Sequence, residues 1–385
     1  MITKGRRLTE TAALHFKEDI SMSKIYTSEQ VSRGHVDKIC DQIADAIVTD
    51  CLEHDRNSRA AIECLIKNNT VIIAGEITST HEPDYANLVF KVMNRIGIEK
   101  LGYEYLDVRG LITRQSPDIA QGVDKGGAGD QGIMFGYATN ETPELLPIPF
   151  AVATRFMEHM ESLNCPMLLP DAKAQVSYDY ESSRITTFLC SVQHTADADL
   201  KSIRRIIEPL MVLTAAEYGL NSDFEKLINP TGRFVIGGSR ADCGVTGRKL
   251  ACDTYGGIGR IGGGALSGKD PSKVDRSAAY MARKIAVDLV KAGYCSKCEV
   301  QLAYAIGKAD PVSVAVDTQE TGKAADSFFQ QYIRKNYDLT PGGIIKYLYL
   351  LDVDYNDVSS GGHFGKKWLP WEMDEEEAND LYGNK

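Results

Sequence analysis

Glycine is spread unevenly along this chain, and three glycine-rich stretches lie beside the residues best able to do chemistry. They are Gly126-Gly127-Ala128-Gly129-Asp130-Gln131-Gly132, Gly256-Gly257-Ile258-Gly259, and Gly262-Gly263-Gly264 leading into Gly268-Lys269-Asp270. Loops of this kind let backbone N–H groups approach an anion closely. Lys269 and Lys273 straddle the expected start of a long helix. Its free N–H groups and dipole favour negative charge, so a polyphosphate is well placed there. Gly263 to Lys269 fits the G-x-x-x-x-G-K pattern of a P-loop, but Asp270 stands where a Ser or Thr should bind Mg²⁺. No hydrophobic strand runs straight into the motif either, so a true P-loop is rejected. Asp275 could cap the helix or ligate Mg²⁺, and spacing alone favours capping. Upstream, Ser32-Arg33-Gly34-His35-Val36-Asp37-Lys38 gathers an imidazole, a carboxylate and a cation where a loop enters a helix, a place from which side chains converge on a cleft more often than on a core. Arg248-Lys249, after Gly247, adds a further basic pair.

The elements that must position these groups can be read from periodicity. Ile39, Cys40, Ile43, Ala46, Ile47 and Cys51 recur at helical spacing, which predicts an amphipathic helix over 37–52. Thr70 to Ile77 reads as a buried strand rich in β-branched residues, and 177–192 as two strands around Glu181-Ser182-Ser183. The clearest helix is predicted from Pro271 to about Lys291, with Asp270 as N-cap and Gly293 beyond its end. A final helix from about Gly343 to Leu351 precedes a polar tail with Trp368, Trp371 and the acidic run from Asp374 to Glu377. Residues 1–24 read as a loose tail before the folded part.

Composition narrows the function. The 385 residues are 43% hydrophobic and 25% charged, enough for a substantial core divided among two or three domains. Basic residues number 43 against 53 acidic, a net charge of −10, and no basic patch suited to nucleic acid or anionic lipid stands out. No apolar stretch approaches a membrane span and no secretory signal is visible, so a cytoplasmic protein is expected. Nine scattered cysteines suit reduced, buried thiols. Cys295 and Cys298 form a CxxC without the second ligand pair that a zinc site needs, and no disulfides are expected.

Taken together, five segments closely resemble the S-adenosylmethionine synthetase family: 27–46 (TSEQVSRGHVDKICDQIADA), 127–142 (GAGDQGIMFGYATNET), 229–238 (NPTGRFVIGG), 242–249 (DCGVTGRK) and 262–280 (GGGALSGKDPSKVDRSAAY). The resemblance runs from Ile25 to Glu372. It implies an α+β fold of three similar α/β domains around a pseudo-threefold axis, with flat sheets packed across a dimer interface. The expected segments are 25–124, 125–240 and 241–385. It also implies a reaction in which methionine sulfur attacks C5′ of ATP and the whole triphosphate leaves, to be hydrolysed to phosphate and diphosphate. Self-association as a homodimer or homotetramer follows, with the active sites at the dimer interface.

Residue by residue, the resemblance places His35 beside O5′ of ATP, and Asp37 and Asp275 on two Mg²⁺ ions. Lys173, Arg248, Lys249, Lys269 and Lys273 neutralise the triphosphate, with Lys273 also near methionine. Phe234, after Arg233, stacks on adenine. Asp130 and Asp242 hold ribose and methionine, Asp171 and Ala265 border ATP, Glu76 and Gln115 complete the methionine pocket, and Glu63 takes K⁺. A neutral sulfur nucleophile needs orientation and a stabilised leaving group more than a strong base, which accords with so many cations. A regulatory relative would have no need to keep all these charges, and a kinase would release ADP.

The sequence departs from the family at four places. Arg33 stands where the family has glutamate, and Val36 where it has proline. Between Val123 and Gly127 only three residues remain, so the gating loop is short and altered product inhibition is expected. Arg260-Ile261 replaces a segment usually ending in histidine, and Leu266 replaces a phenylalanine.

Overall fold

The computed structural model describes residues 24–115 and 126–383. Of the shortened gating loop only Gly126 lies within them. β1 (Ile25–Val31) leads into α1 (Val36–His54), then come β2 (Arg59–Lys67), β3 (Thr70–Thr78), α2 (Tyr85–Ile96) and β4 (Asp107–Thr113). β5 (Gly132–Thr139), α3 (Ile148–Ser162), β6 (Leu168–Asp179), β7 (Arg184–His194), α4 (Leu200–Glu217) and β8 (Glu225–Ile228) follow. The last part carries β9 (Gly244–Val245), α5 (Val274–Lys291), β10 (Lys297–Tyr304), β11 (Ser313–Asp317), α6 (Asp326–Asn336), α7 (Pro341–Tyr347) and α8 (Glu375–Tyr382).

The strands build three sheets of order β1-β6-β7-β8, β11-β10-β5 and β4-β3-β2-β9. Each sheet takes one strand from a distant stretch of chain. β1 pairs antiparallel with β6, β5 with β10, and β9 with β2. The loan is cyclic: the first third of the chain lends a strand to the second, the second to the third, and the third back to the first.

Alternation explains the sheet faces. On β2, Ala60, Ile62, Cys64 and Ile66 point inward, and on β3 Val71, Ile73 and Ile77 do, as a period of two requires. Ile39, Ile43 and Ile47 of α1 join that core, and Ala278, Ala282 and Ile285 of α5 extend it over β5 and β10. A second core lies between the β1-β6-β7-β8 sheet and α3 with α4, around Phe156, Phe188, Ile203 and Ile207. The outer face of the β4-β3-β2-β9 sheet carries half-exposed Leu65, Ile72 and Ala74, with Leu111 66% exposed.

Three expectations need correction. The long helix begins at Val274, not Pro271. The Asp270 carboxylate accepts from the backbone N–H of Ala60 (2.7 Å) and of Ser272 (2.8 Å), pinning a turn to β2 instead of capping the helix. Asp275 supplies no cap either, since the N-cap is Lys273 with no side-chain bond. The supposed polar tail is structured: Asp374 and Glu377 form the capping box of α8. Trp371 is fully buried, its ring 3.7 Å from that of Tyr280 and its indole N–H donating to the carbonyl of His363 (2.9 Å). All nine cysteines are free, Cys295 and Cys298 being buried.

Candidate active site

The loop before α1 is tied to β6. Val31 stands opposite Lys173, the Ser32 hydroxyl donates to the Pro170 carbonyl (2.6 Å), and the Ser32 oxygen accepts from the N–H of Ala172 (2.9 Å). A side chain at Gly34 would collide with Pro170, so the loop passes β6 only as glycine. His35 therefore arrives as the N-cap of α1, its Nδ1 accepting from the N–H of Asp37 (3.2 Å). Asp37 in turn accepts from the N–H of Val245 (3.0 Å) and from Lys249 Nζ (2.7 Å). Asp171 accepts from the N–H of Gly238 (2.8 Å), drawing the 229–238 loop toward the same place. In that loop Arg233 is exposed, and half-buried Phe234 is fixed by two bonds to His194, one to its backbone N–H (2.9 Å) and one to its ring Nε2 (3.1 Å). Asp242 and Arg248 are exposed, and Arg248 donates to the carbonyl of Cys243 (3.2 Å).

Electrostatics in this first group are mutual. Burial, then Lys249 and Lys173, lower the His35 pKa to about 4, with Asp37 pulling the other way. At neutral pH the ring is uncharged. Because Nδ1 accepts a hydrogen bond, Nε2 carries the proton and is the available donor. Burial raises the pKa of Asp37, but the Lys249 and Val245 hydrogen bonds outweigh it and the carboxyl stays below its ordinary value. Asp171 is raised, first by burial and further by Asp242 and Asp37, with Lys173 opposing.

A second group sits around the triple glycine. Lys269 Nζ meets Asp275 at 2.5 Å, and Lys273 pairs with Asp270. Gly264 lies against the Asp275 carboxylate so closely that no side chain fits between. Asp130 precedes Gly132, which also lies against Asp275. Ala265 touches the space above Gly247 and so faces the first group. Glu63 points outward from β2, its pKa raised by burial and partly restored by Lys269. Glu76 stands opposite Thr113 in register, and Gln115, two residues further on, donates its N–H to Thr78 Oγ1 (3.2 Å), so these two share one end of the sheet.

Thus the chain brings His35, Asp37, Asp171, Lys173, Asp242 and Lys249 together, and separately Lys269, Lys273 and Asp275. Among the described residues no hydrogen bond or ion pair joins the two groups. A cleft of about 640 Å³, lined by Ser32, Arg33, Arg95, Lys100, Glu161 and Pro170 among others, contains none of the candidate residues. Arg33 itself is drawn off by Glu161, which takes its Nε (2.8 Å) and its backbone N–H (2.8 Å), so the reversed charge is neutralised locally. Val36 occupies the first turn of α1, a position at which proline is tolerated but not required. Arg260 is held by Glu299 (2.8 Å), and Leu266 is buried in the core.

Family models match almost the whole described chain. The S-adenosylmethionine synthetase N-terminal domain matches residues 23–117, the central domain 125–234 and the C-terminal domain 236–373. The chain belongs to the S-adenosylmethionine synthetase family. It is a methionine adenosyltransferase, a three-domain enzyme of mixed α/β content that makes S-adenosylmethionine from ATP and methionine and uses divalent and monovalent metal ions.

The donor set suits a hard cation. Asp171 Oδ1 is buried without a hydrogen-bond partner among the described residues, beside two further carboxylates, Asp37 and Asp242, and carboxylate oxygens are the ligands such a cation takes. A different cluster, Asp50, His54 and His81, has the composition of a transition-metal site. Its two imidazoles stack 3.9 Å apart at an interplanar angle of 9°, so their lone pairs lie in nearly parallel planes and do not meet at one ion. No helix among the described residues is long and apolar enough to cross a membrane.

Sequence reasoning missed Asp41, Asp45 and Asp253. Asp41 accepts from the N–H of Gly247 (2.8 Å), Asp45 from that of Gly268 (2.9 Å), and Asp253 pairs with Lys38 (2.5 Å). The four-residue spacing of Asp37, Asp41 and Asp45 beside the apolar Ile39, Ile43 and Ile47 was the available signal.

Proposed function

We propose that the first group of one subunit and the second group of its partner close into one ATP- and methionine-binding site. The carrying observation is that the cations needed for a triphosphate are divided between two groups in a single chain, both at its surface. The outer face of the β4-β3-β2-β9 sheet, where Leu65, Ile72, Ala74 and Leu111 stand partly exposed among Glu63, Glu76 and Arg109, supports a homodimer, and a second pairing would give a tetramer. The cyclic exchange of β1, β5 and β9 supports a pseudo-threefold arrangement of the segments 25–124, 125–240 and 241–385.

Methionine, held by Glu76, Gln115, Asp242 and Lys273, presents its sulfur to C5′ of ATP. The sulfur lone pair forms the new bond as C5′–O5′ breaks, and the triphosphate leaves with the electron pair. Neutral His35 donates from Nε2 toward O5′. Lys173, Arg248, Lys249, Lys269 and Lys273 take up the charge, an electrostatic effect that is strong in a site already built for it. Phe234 and Arg233 border adenine, Asp130 the ribose, and Asp171 and Ala265 the nucleotide. Asp37 and Asp275 would hold two Mg²⁺ ions, which neutralise further phosphate charge and assist triphosphate hydrolysis. Glu63 would contribute to a K⁺ site that a partner subunit completes. The cytoplasm is the proposed location.

Co-expression of Lys249→Ala with Lys269→Ala tests the shared site. Each variant alone is expected to be inactive. Random pairing should restore about a quarter of wild-type activity, because each mixed dimer regains one intact site. No restoration would place both lysines in sites formed within one chain.

A further inference from the structure

Resting on that reading of the two cationic groups, we infer that α1 is a ruler that sets their separation, with Asp41 and Asp45 as positioning residues that touch no substrate. Asp37, Asp41 and Asp45 recur every four residues, so they line one face of the helix about 6 Å apart per step. Each takes one backbone N–H from a loop that carries site residues: Val245 to Asp37 (3.0 Å), Gly247 to Asp41 (2.8 Å) and Gly268 to Asp45 (2.9 Å). Gly247 immediately precedes Arg248-Lys249, and Gly268 immediately precedes Lys269. The two loops are thus fastened to rungs of one rigid element.

Each rung is itself braced by a cation. Asp37 pairs with Lys249 (2.7 Å), Asp41 with Lys38 (2.9 Å) and Asp45 with Arg276 (2.8 Å). Asp41, Asp45 and Arg276 are fully buried and Lys38 nearly so, so none of these charges can swing out to solvent. Lys38 also reaches Asp253 (2.5 Å), and Arg276 donates to the carbonyl of Lys269 (2.8 Å) and to the Tyr280 hydroxyl (3.0 Å). Tyr280 bonds His363 (2.7 Å), whose other ring nitrogen meets the Ser267 hydroxyl (3.3 Å). Arg276 therefore grips the Lys269 segment from its carbonyl side while Asp45 grips the N–H just before it. Among the described residues Asp45 Oδ2 and one terminal nitrogen of Arg276 are left without a hydrogen-bond partner, so the grip rests on Asp45 Oδ1, which takes both the Gly268 N–H and Arg276, in a buried setting where such bonds are strong.

Asp41 gives the cleaner test, because Lys38 keeps Asp253 when Asp41 changes. Asp41→Asn retains an oxygen for the Gly247 N–H, whereas Asp41→Ala removes it. In the full-length enzyme, Asp41→Ala is expected to lower kcat for S-adenosylmethionine formation roughly 10- to 100-fold, as a displacement of about 1 Å would. KM for methionine should change much less, and Asp41→Asn should recover most of kcat. A merely structural role predicts equal losses of melting temperature in both variants with kcat per folded site unchanged, and that result overturns the proposal. Asp45→Ala should act alike through Lys269. If the alanine variants do not fold, hydrogen exchange on the unaltered enzyme decides: slow exchange at the Gly247 and Gly268 amides is expected, and free exchange there refutes the ruler. Lys269→Ala run alongside separates the two layers of argument. An active Lys269→Ala enzyme defeats the site assignment, whereas an inactive one beside a fully active Asp41→Ala defeats only the ruler.

Discussion

Gly264→Ala is a one-methyl perturbation aimed at the second cationic group. A Cβ built at Gly264 lies 2.2 Å from Cγ of Asp275, against an ordinary van der Waals contact of at least 3.4 Å, so the carboxylate must retreat by about 1.2 Å. In retreating, Asp275 must either give up its contact with Lys269 Nζ, now 2.5 Å, or draw the ammonium along with it, and either way a positioned charge moves. A shift of that size in a positioned charge costs on the order of 10²-fold in rate, while overpacking costs about 1–3 kcal/mol in stability. The neighbouring residue supplies the control, because a Cβ at Gly263 meets nothing within 4 Å. Initial rates of S-adenosylmethionine formation, with melting temperatures measured in parallel, should show Gly264→Ala reduced about 100-fold and Gly263→Ala near wild type. Equal activity in the two variants would refute the claim that the Asp275 carboxylate is held in place by the missing side chain.

Further outcomes can be checked with standard variants. Trp371→Ala should lower unfolding free energy by about 3–5 kcal/mol in denaturant titrations, because the ring is fully buried on Tyr280 and leaves a cavity. Arg33→Glu should cost no more than about 1 kcal/mol, since its partner Glu161 is partly solvent-screened, and Arg33→Glu with Glu161→Arg should recover it. His363 is wholly buried, and burial followed by the Lys38 charge holds its pKa well below 6.5. The unfolded chain therefore binds the proton more readily, so this stability is present above pH 6.5 and lost as pH falls below it. His363→Gln should flatten the acid limb of melting temperature against pH, and an unchanged limb would show that another group controls it.

Sequence pattern exposed the elements whose stabilisation is local. The isoleucine spacing in α1, the β-branched run of β3 and the turn at Glu181-Ser182-Ser183 all appear within a residue or two of where they were expected. The glycine and lysine runs also marked both halves of the candidate site. What remained hidden depends on partners far away in sequence. Nothing local to Asp270 says that its carboxylate will find the N–H of Ala60. Nothing in the last 20 or so residues says that Trp371 will stack on Tyr280, so its surroundings read as a tail. The strand loans of β1, β5 and β9 are likewise invisible to a scan of periodicity. Asp41 and Asp45 were overlooked because a carboxylate on a helix normally reads as a solvated face, and only their full burial reveals otherwise.

The most direct test of the account is product analysis of the purified enzyme with ATP, methionine, Mg²⁺ and K⁺, in wild-type and Lys269→Ala forms. The account predicts equal amounts of S-adenosylmethionine, phosphate and diphosphate from the wild type and none from the variant. Full product formation by Lys269→Ala, or release of ADP by the wild type, would contradict the assignment of the triphosphate cradle.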